Sequence, residues 1–214
     1  MAEQSMQKKR GGKNRSEAVL EAARELFFTQ GYNGTTIEQI AKKAGYSKRT
    51  VYLDFLNKDD VFISVCAVGM EILLARLRTL ELECLPIQEF IDQFLQVLSA
   101  YSREHPNYLR MFCIEATPRV IANCSEAVRR HVGELERAGF RIVVAQVEKA
   151  VSEGIIPPID PWEAAGIFIG SVTGIVLLSL GGSQTVFSQE TLETMGKKAG
   201  WLLWRGMCQS PVPQ

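Results

Sequence analysis

From Ser16 to Gln30 the apolar residues Val19, Ala22, Ala23, Leu26 and Phe27 recur at i, i+3, i+4, i+7 and i+8, which lines them along one face of a helix. Gly31 then supplies a left-handed stop. The next segment opens with Thr35 and Glu38 in capping-box spacing, carries Ile37, Ile40, Ala41 and Ala44 on one face, and closes at Gly45. Ser47 is placed to cap a third helix in which Val51 and Phe55, at i and i+4, point inward while Lys48, Arg49 and Thr50 lie toward the other side. Two short helices joined across a Gly-containing turn predict a helix-turn-helix.

Beyond Lys58 the helical pattern continues in longer pieces. The spacing predicts helices over 59–83, interrupted by Gly only at Gly69, over 87–105 between Pro86 and Pro106, over 107–115, and over 125–153. Gly139 sits on the apolar seam of the last of these, where it predicts a bend or a close helix contact. Asp160 with Glu163 forms a further capping box, Pro161 takes the first helical position, and a final helix is expected over 188–207. No stretch alternates apolar and polar as a half-buried strand would, so the expected class is all-α.

Residues 164–180, AAGIFIGSVTGIVLLSL, carry no charge. The run is at the short limit for a membrane span, contains Ser and Thr, and follows acids with no basic anchor. It is therefore read as a helix buried on all sides, covered by core or by a partner chain. Gly166, Gly170 and Gly174 recur every four residues along it and offer a stripe where another backbone approaches closely, a candidate subunit contact.

Charge divides the chain. Residues 1–58 hold 11 Lys and Arg against 6 Asp and Glu, while the remainder holds 13 against 18, although the whole is neutral. A basic module joined to an acidic one suggests a polyanion bound at one end. The five cysteines, at 66, 84, 113, 124 and 208, form no CxxC pair and no zinc spacing, and read as free thiols of a reducing cytosol. No signal peptide is visible, because the basic stretch from Lys8 to Arg15 leads into an amphipathic segment, so the expected location is cytoplasmic.

The stretch from Val19 to Phe62 resembles the DNA-binding domain of the tetracycline-repressor (TetR) family of bacterial regulators. The likeness lies in AA..LF...GY at 22–32, TTI..IA..AG at 35–45 and S..TVY..F..KD at 47–59, without a gap. The rest of the chain is similar to the family only in length and helical layout. The resemblance implies an all-helical homodimer: a flexible basic arm over 1–14, a three-helix domain over 15–58 that reads a pseudo-palindromic operator, and a divergent helical domain over 59–214 for effector binding and dimerisation. Carried over by position, Thr36, Ser47, Lys48, Arg49, Thr50, Tyr52 and Lys58 are the implied DNA contacts. Leu53 and Asp54 depart from the family, which often has aromatic residues or His there to touch phosphates, and Arg49 stands where Gly is frequent.

Chemistry points the same way. Helix-start amides, the hydroxyls of Thr36 and Tyr52 and the Lys58 ammonium suit phosphate oxygens, whereas the Arg49 fork suits guanine. The arm cations Lys8, Lys9, Arg10, Lys13 and Arg15 either track phosphates or a minor groove, or form an idle soluble tail. An effector site is expected among Phe94, Tyr101, Tyr108, Met111, Phe112, Trp162 and Phe168, residues poor in charged neighbours, which favours a small hydrophobic or aromatic effector. The bland alternative for each is ordinary core. His105 and His131 lack partners at metal-ligand spacing, and no phosphate-binding Gly loop or nucleophile elbow is present, so neither metal, cofactor nor catalysis is expected. Cys113 and Cys124 are the thiol pair to test. The leading reading is a ligand-responsive transcriptional repressor; the alternatives are a helical small-molecule carrier or enzyme, and a regulator controlled by a protein partner or by thiol oxidation.

Overall fold

In the computed structural model the described residues are 2–82, 85–180 and 189–209, with side chains described at 14–80, 85–178 and 194–207. The arm cations Lys8, Lys9, Arg10 and Lys13, together with Cys84 and Cys208, lie outside the described side chains.

Every regular element among the described residues is helical. The helices are α1 (Ala2–Gly34), α2 (Ile37–Ala44), α3 (Lys48–Val51), α4 (Lys58–Leu82), α5 (Ile87–Glu104), α6 (Pro106–Arg110), a π-helical turn (Met111–Glu115), α7 (Pro118–Asn123), α8 (Glu126–Ser152), α9 (Pro161–Leu180) and α10 (Gln189–Gln209). The backbone is helical from Ala2, where the sequence suggests an arm up to residue 14. Gly31 breaks α1 near its end with φ +70°, the left-handed conformation that Gly adopts without strain.

Two compact units are present. The first comprises residues 1–69 and 107–134, the second residues 70–106 and 135–214, so the divisions fall inside α4, after the first residue of α6 and inside α8. In the first unit Val19, Ala22, Ala23 and Phe27 of α1 pack with Ile37, Ile40 and Ala41 of α2, Val51, Phe55 and Phe62, all buried. Asn57 and Asp60 organise the start of α4. Asn57 Oδ1 accepts the Asp60 amide at 2.9 Å, and Asp60 accepts the amides of Leu56 at 2.8 Å and Ser125 at 2.6 Å. Asn57 Nδ2 also donates to the Asn123 carbonyl at 2.9 Å. These bonds explain why residues near 123–125 belong with the N-terminal helices. At Gly69 an added Cβ would sit 2.6 Å from the Tyr108 ring, so only Gly lets α4 and α6 come this close.

The second unit is built on an apolar core from α4, α5, α8, α9 and α10, including Leu77, Phe90, Phe94, Val147, Phe168 and Trp204. Phe90, Ile91, Phe94, Leu95 and Tyr101 form the buried face of α5 at helical spacing. Gly200 lies where a Cβ would be 2.9 Å from Ile91 Cγ2, which lets α10 close on α5.

Several expectations are corrected. The α2 capping box is Thr36 with Gln39, one residue later than the expected Thr35 and Glu38. Thr36 Oγ1 accepts the Gln39 amide at 3.2 Å and Gln39 Oε1 accepts the Thr36 amide at 2.7 Å, while Thr35 is buried and donates to the Gly31 carbonyl at 2.9 Å. The expected helix 107–115 is α6 followed by a π-helical turn, and α7 adds a short helix that the spacing does not predict. Of the two alternatives at Gly139, the close helix contact is not made among the described residues, where a Cβ would meet nothing within 4 Å. Helix α9 is not buried on all sides. Its Pro161–Leu178 window is long and apolar enough to cross a membrane, and only 22% of it is buried. Ala164, Ala165, Phe168 and Val172 face the core, whereas Ile167, Gly170, Gly174 and Leu178, one helical stripe, are exposed.

Candidate nucleic-acid interface and effector region

The short helix α3 starts cleanly because Ser47 accepts the Thr50 amide at 3.1 Å, and its hydroxyl also meets the Thr50 hydroxyl at 2.8 Å. Val51 and Phe55 are buried against the domain core, which turns Ser47, Lys48 and Arg49 outward. Arg49 is exposed and makes no ion pair among the described residues. Lys48 is paired with Glu38 of α2 and lies 5.8 Å from the Tyr52 ring centre. This pairing holds the Glu38 carboxyl below its ordinary range and the Lys48 ammonium above its own. Tyr52 is 46% and Leu53 68% exposed, so an aromatic and an aliphatic side chain reach the surface at the end of α3.

Among the described residues Asp54 forms no ion pair with its neighbours Arg49 or Lys58. It is bound by Arg15 of α1, whose Nε donates to Oδ2 at 2.7 Å while Nη2 donates to Oδ1. The pair raises the Arg15 pKa further, chiefly through the hydrogen bond. The Asp54 carboxylate is therefore neutralised by Arg15.

Lys58 also lies elsewhere than its role as a phosphate contact suggests. Its Nζ donates to the carbonyls of Tyr32 at 2.9 Å and Thr35 at 3.2 Å and sits 4.0 Å over the Tyr32 ring. The Tyr32 hydroxyl donates to the buried Asp59 carboxylate, and burial followed by that bond pushes the phenol pKa well up. Lys58, Tyr32 and Asp59 thus form an internal clamp on the chain leaving α1. Nothing in their spacing marks this, because the partners are far apart in sequence.

The residues expected to form an effector site are divided. Tyr108, Met111 and Phe112 belong to the first unit and Phe94, Tyr101, Trp162 and Phe168 to the second. Phe94 and Phe168 pack at 5.4 Å within the core of the second unit, and Tyr101 meets His105 at 5.0 Å. Trp162 is 43% exposed and stacks 6.5 Å from Phe140. Tyr108 is buried against Phe28 at 5.0 Å, Met111 is fully buried and Phe112 half-buried. Elsewhere in the second unit, Gln146 of α8 is 6% exposed and its Oε1 has no hydrogen-bond partner among the described residues. Sequence reading missed it, since a Gln at a core position of a helix carries no motif.

Among the described residues no group of His, Cys, Asp and Glu is arranged to hold a metal ion. Cys66 and Cys124 are buried and Cys113 half-buried, all as free thiols.

Comparison with known proteins agrees with this geometry. A family model described as bacterial regulatory proteins, tetR family, matches residues 19–65. The HTH-type transcriptional regulator RutR of Escherichia coli K12 is 30% identical over 147 residues, covering 69% of this chain; the chain spans 66% of the length of that relative. Among solved structures, FadR from Bacillus subtilis in complex with stearoyl-CoA superposes with TM-score 0.69 at 20% identity, covering 89% of this chain and 98% of FadR. AibR in complex with isovaleryl coenzyme A and operator DNA gives 0.63 at 19% identity, covering 89% and 98%. At these identities the structural matches show the shared fold.

Proposed function

Because the chain belongs to the tetR family of bacterial regulatory proteins, we propose that it is a cytoplasmic, homodimeric transcriptional repressor whose operator affinity is set by a hydrophobic effector. The observation that carries the reading is the outward first turn of α3. Ser47, Lys48 and Arg49 are presented there by a helix anchored through buried Val51, with buried Phe55 just beyond its end. The N-terminal residues of a recognition helix reach base edges in the major groove, and Arg49 has the fork that reads guanine. Thr36, Ser47, Lys48, Thr50 and Tyr52 are the accompanying contacts, and Lys58 serves as the clamp that holds the domain rather than as a contact.

The dimer is built on the exposed stripe of α9 with α10. Gly166, Gly170 and Gly174 each leave open space where a Cβ would be, and Ile167 at 52% and Leu202 at 70% exposure are apolar groups that a partner would cover. The effector class follows from the uncharged core of the second unit and from the acyl-CoA molecules held by FadR and AibR. An acyl chain suits an apolar interior lined by Phe94 and Phe168.

Selection of bound duplexes from a random library tests the reading. A pseudo-palindromic site, bound with steep salt dependence and released by stearoyl-CoA or isovaleryl-CoA, is the expected result. Binding without sequence preference would refute the regulator, and a preferred site indifferent to every acyl-CoA would refute the effector class.

A further inference from the structure

A cleft of about 660 Å³ opens within the first unit, outside both the DNA-facing turn and the aromatic residues assigned to the effector. Residues Gln30–Asn33 and Asp59 form one wall, and residues from Ile114 to Asn123 form the other. The volume falls within the range of about 300–1,000 Å³ typical of small-molecule sites. Ile114, Val120 and the Tyr32 ring give it an apolar surface.

Its charges are not paired with one another. Asp59 accepts the Tyr32 hydroxyl, and Glu115 accepts the Tyr32 amide at 3.3 Å and meets Arg110 Nε at 3.3 Å. The Arg119 guanidinium is exposed and forms no ion pair with either carboxylate among the described residues, although its charge reaches the Tyr32 phenol. A carboxylate has about four acceptor sites and a guanidinium five donors, so both sides of the cleft keep hydrogen-bonding capacity. A simple anion would meet Arg119 but also two carboxylates. A simple cation would suit the carboxylates but be repelled by Arg119.

We propose that this cleft binds a small amino-carboxylate, its ammonium directed to Asp59 and Glu115 and its carboxylate to Arg119, with a short apolar side chain against Ile114 and Val120. The ligand would join the Gly31 corner and the start of α4, which hold the helix-turn-helix, to the segment around α7. Binding there favours one arrangement of the domain, so operator affinity changes by the same factor as ligand affinity changes on DNA. This site is independent of the acyl-CoA reading and is tested without DNA.

The full-length protein is melted in the presence of each common L-amino acid at millimolar concentration, beside the amine lacking the carboxylate and the acid lacking the amine. At least one amino acid is expected to raise the melting temperature while its two truncated analogues do not. Arg119→Gln, a change at an exposed residue, is expected to weaken that ligand about tenfold or more in calorimetric titration. Glu115→Gln should weaken it in the same direction. Absence of any stabilising amino acid, an equal effect of an analogue with one charge, or unaltered affinity in Arg119→Gln would each overturn the proposal.

Discussion

Arg15 of α1 and Asp54, just beyond the recognition helix, are joined by two parallel hydrogen bonds, one from Nε at 2.7 Å and one from Nη2. A bidentate fork of this kind fixes orientation as well as charge. It ties α1 to the turn just beyond α3, the helix proposed to face DNA. If Arg15 acts mainly by cancelling Asp54, Arg15→Ala exposes a carboxylate to phosphate and weakens operator binding severalfold. The double variant Arg15→Ala with Asp54→Ala should then regain most of that loss. Fluorescence titration of the operator with the four proteins of this cycle measures the coupling. A double variant as weak as Arg15→Ala would show instead that the Arg15 guanidinium itself contacts DNA.

Lys48 is held by Glu38 in the free protein. Before it can meet a phosphate this pair must open, so Glu38 competes with DNA. Glu38→Gln is expected to tighten binding severalfold and to steepen the logarithmic salt slope by up to about one. Acidification should mimic this only below the ordinary carboxylate range, since Lys48 depresses the Glu38 pKa in the folded protein. The pair is intact above the unfolded value and is lost as pH falls through the lowered folded one. An unchanged affinity and slope in Glu38→Gln would place Lys48 off the DNA.

Lys58→Met separates the clamp from the contact. Loss of two hydrogen bonds from an ammonium and of its stacking on Tyr32 should lower unfolding free energy by about 2 kcal/mol. The salt slope of DNA binding should stay as it was. Urea melts and salt titrations of the same protein decide this; unchanged stability with a shallower slope would return Lys58 to the phosphates.

The buried face of α1, Val19, Ala22, Ala23 and Phe27, was legible because helical periodicity is local and each of these residues is buried. The capping box slipped by one residue since Thr35 and Thr36 are both competent caps, and only the tertiary burial of Thr35 decides between them. Helix α7, Pro118–Asn123, is too short for a periodic signal. The partners of Asp54 and Lys58 were not legible at all, as each bond spans more than twenty residues of chain and depends on how the helices pack. The expected effector residues rest on aromatic and apolar character, a property that core and pocket share, and the fold distributes them over two units.

Among the described residues, the buried thiols Cys66 and Cys124 are poorly placed for control by oxidation. Burial pushes the Cys66 thiol pKa well up, and burial with nearby Asp60 and Asp59 pushes that of Cys124 up to about 12. The thiolate is the reactive form, so both should be alkylated by iodoacetamide far more slowly in the native protein than in urea at the same pH. Fast native labelling of either, with parallel loss of DNA binding, would restore the redox reading.

Gly170→Leu tests the dimer without disturbing the monomer. Among the described residues a Cβ at Gly170 meets nothing within 4 Å beyond its own helix, and replacing Gly inside a helix by Leu favours the helix by somewhat less than the about 0.8–1 kcal/mol that separates Gly from Ala. Any loss of assembly therefore comes from a partner that needs the space. Sedimentation at micromolar concentration should show the dimer replaced by monomer, with helix content retained by circular dichroism. Gly200→Ala is the contrasting case: its Cβ would fall 2.9 Å from Ile91 Cγ2 and 3.3 Å from Leu95 Cδ1, so it should cost about 1–3 kcal/mol of folding stability through overpacking within the chain. A Gly170→Leu protein that sediments as an undiminished dimer would move the interface away from the Gly166, Gly170 and Gly174 stripe, and the exposed apolar groups Ile167 and Leu178 would then need another cover.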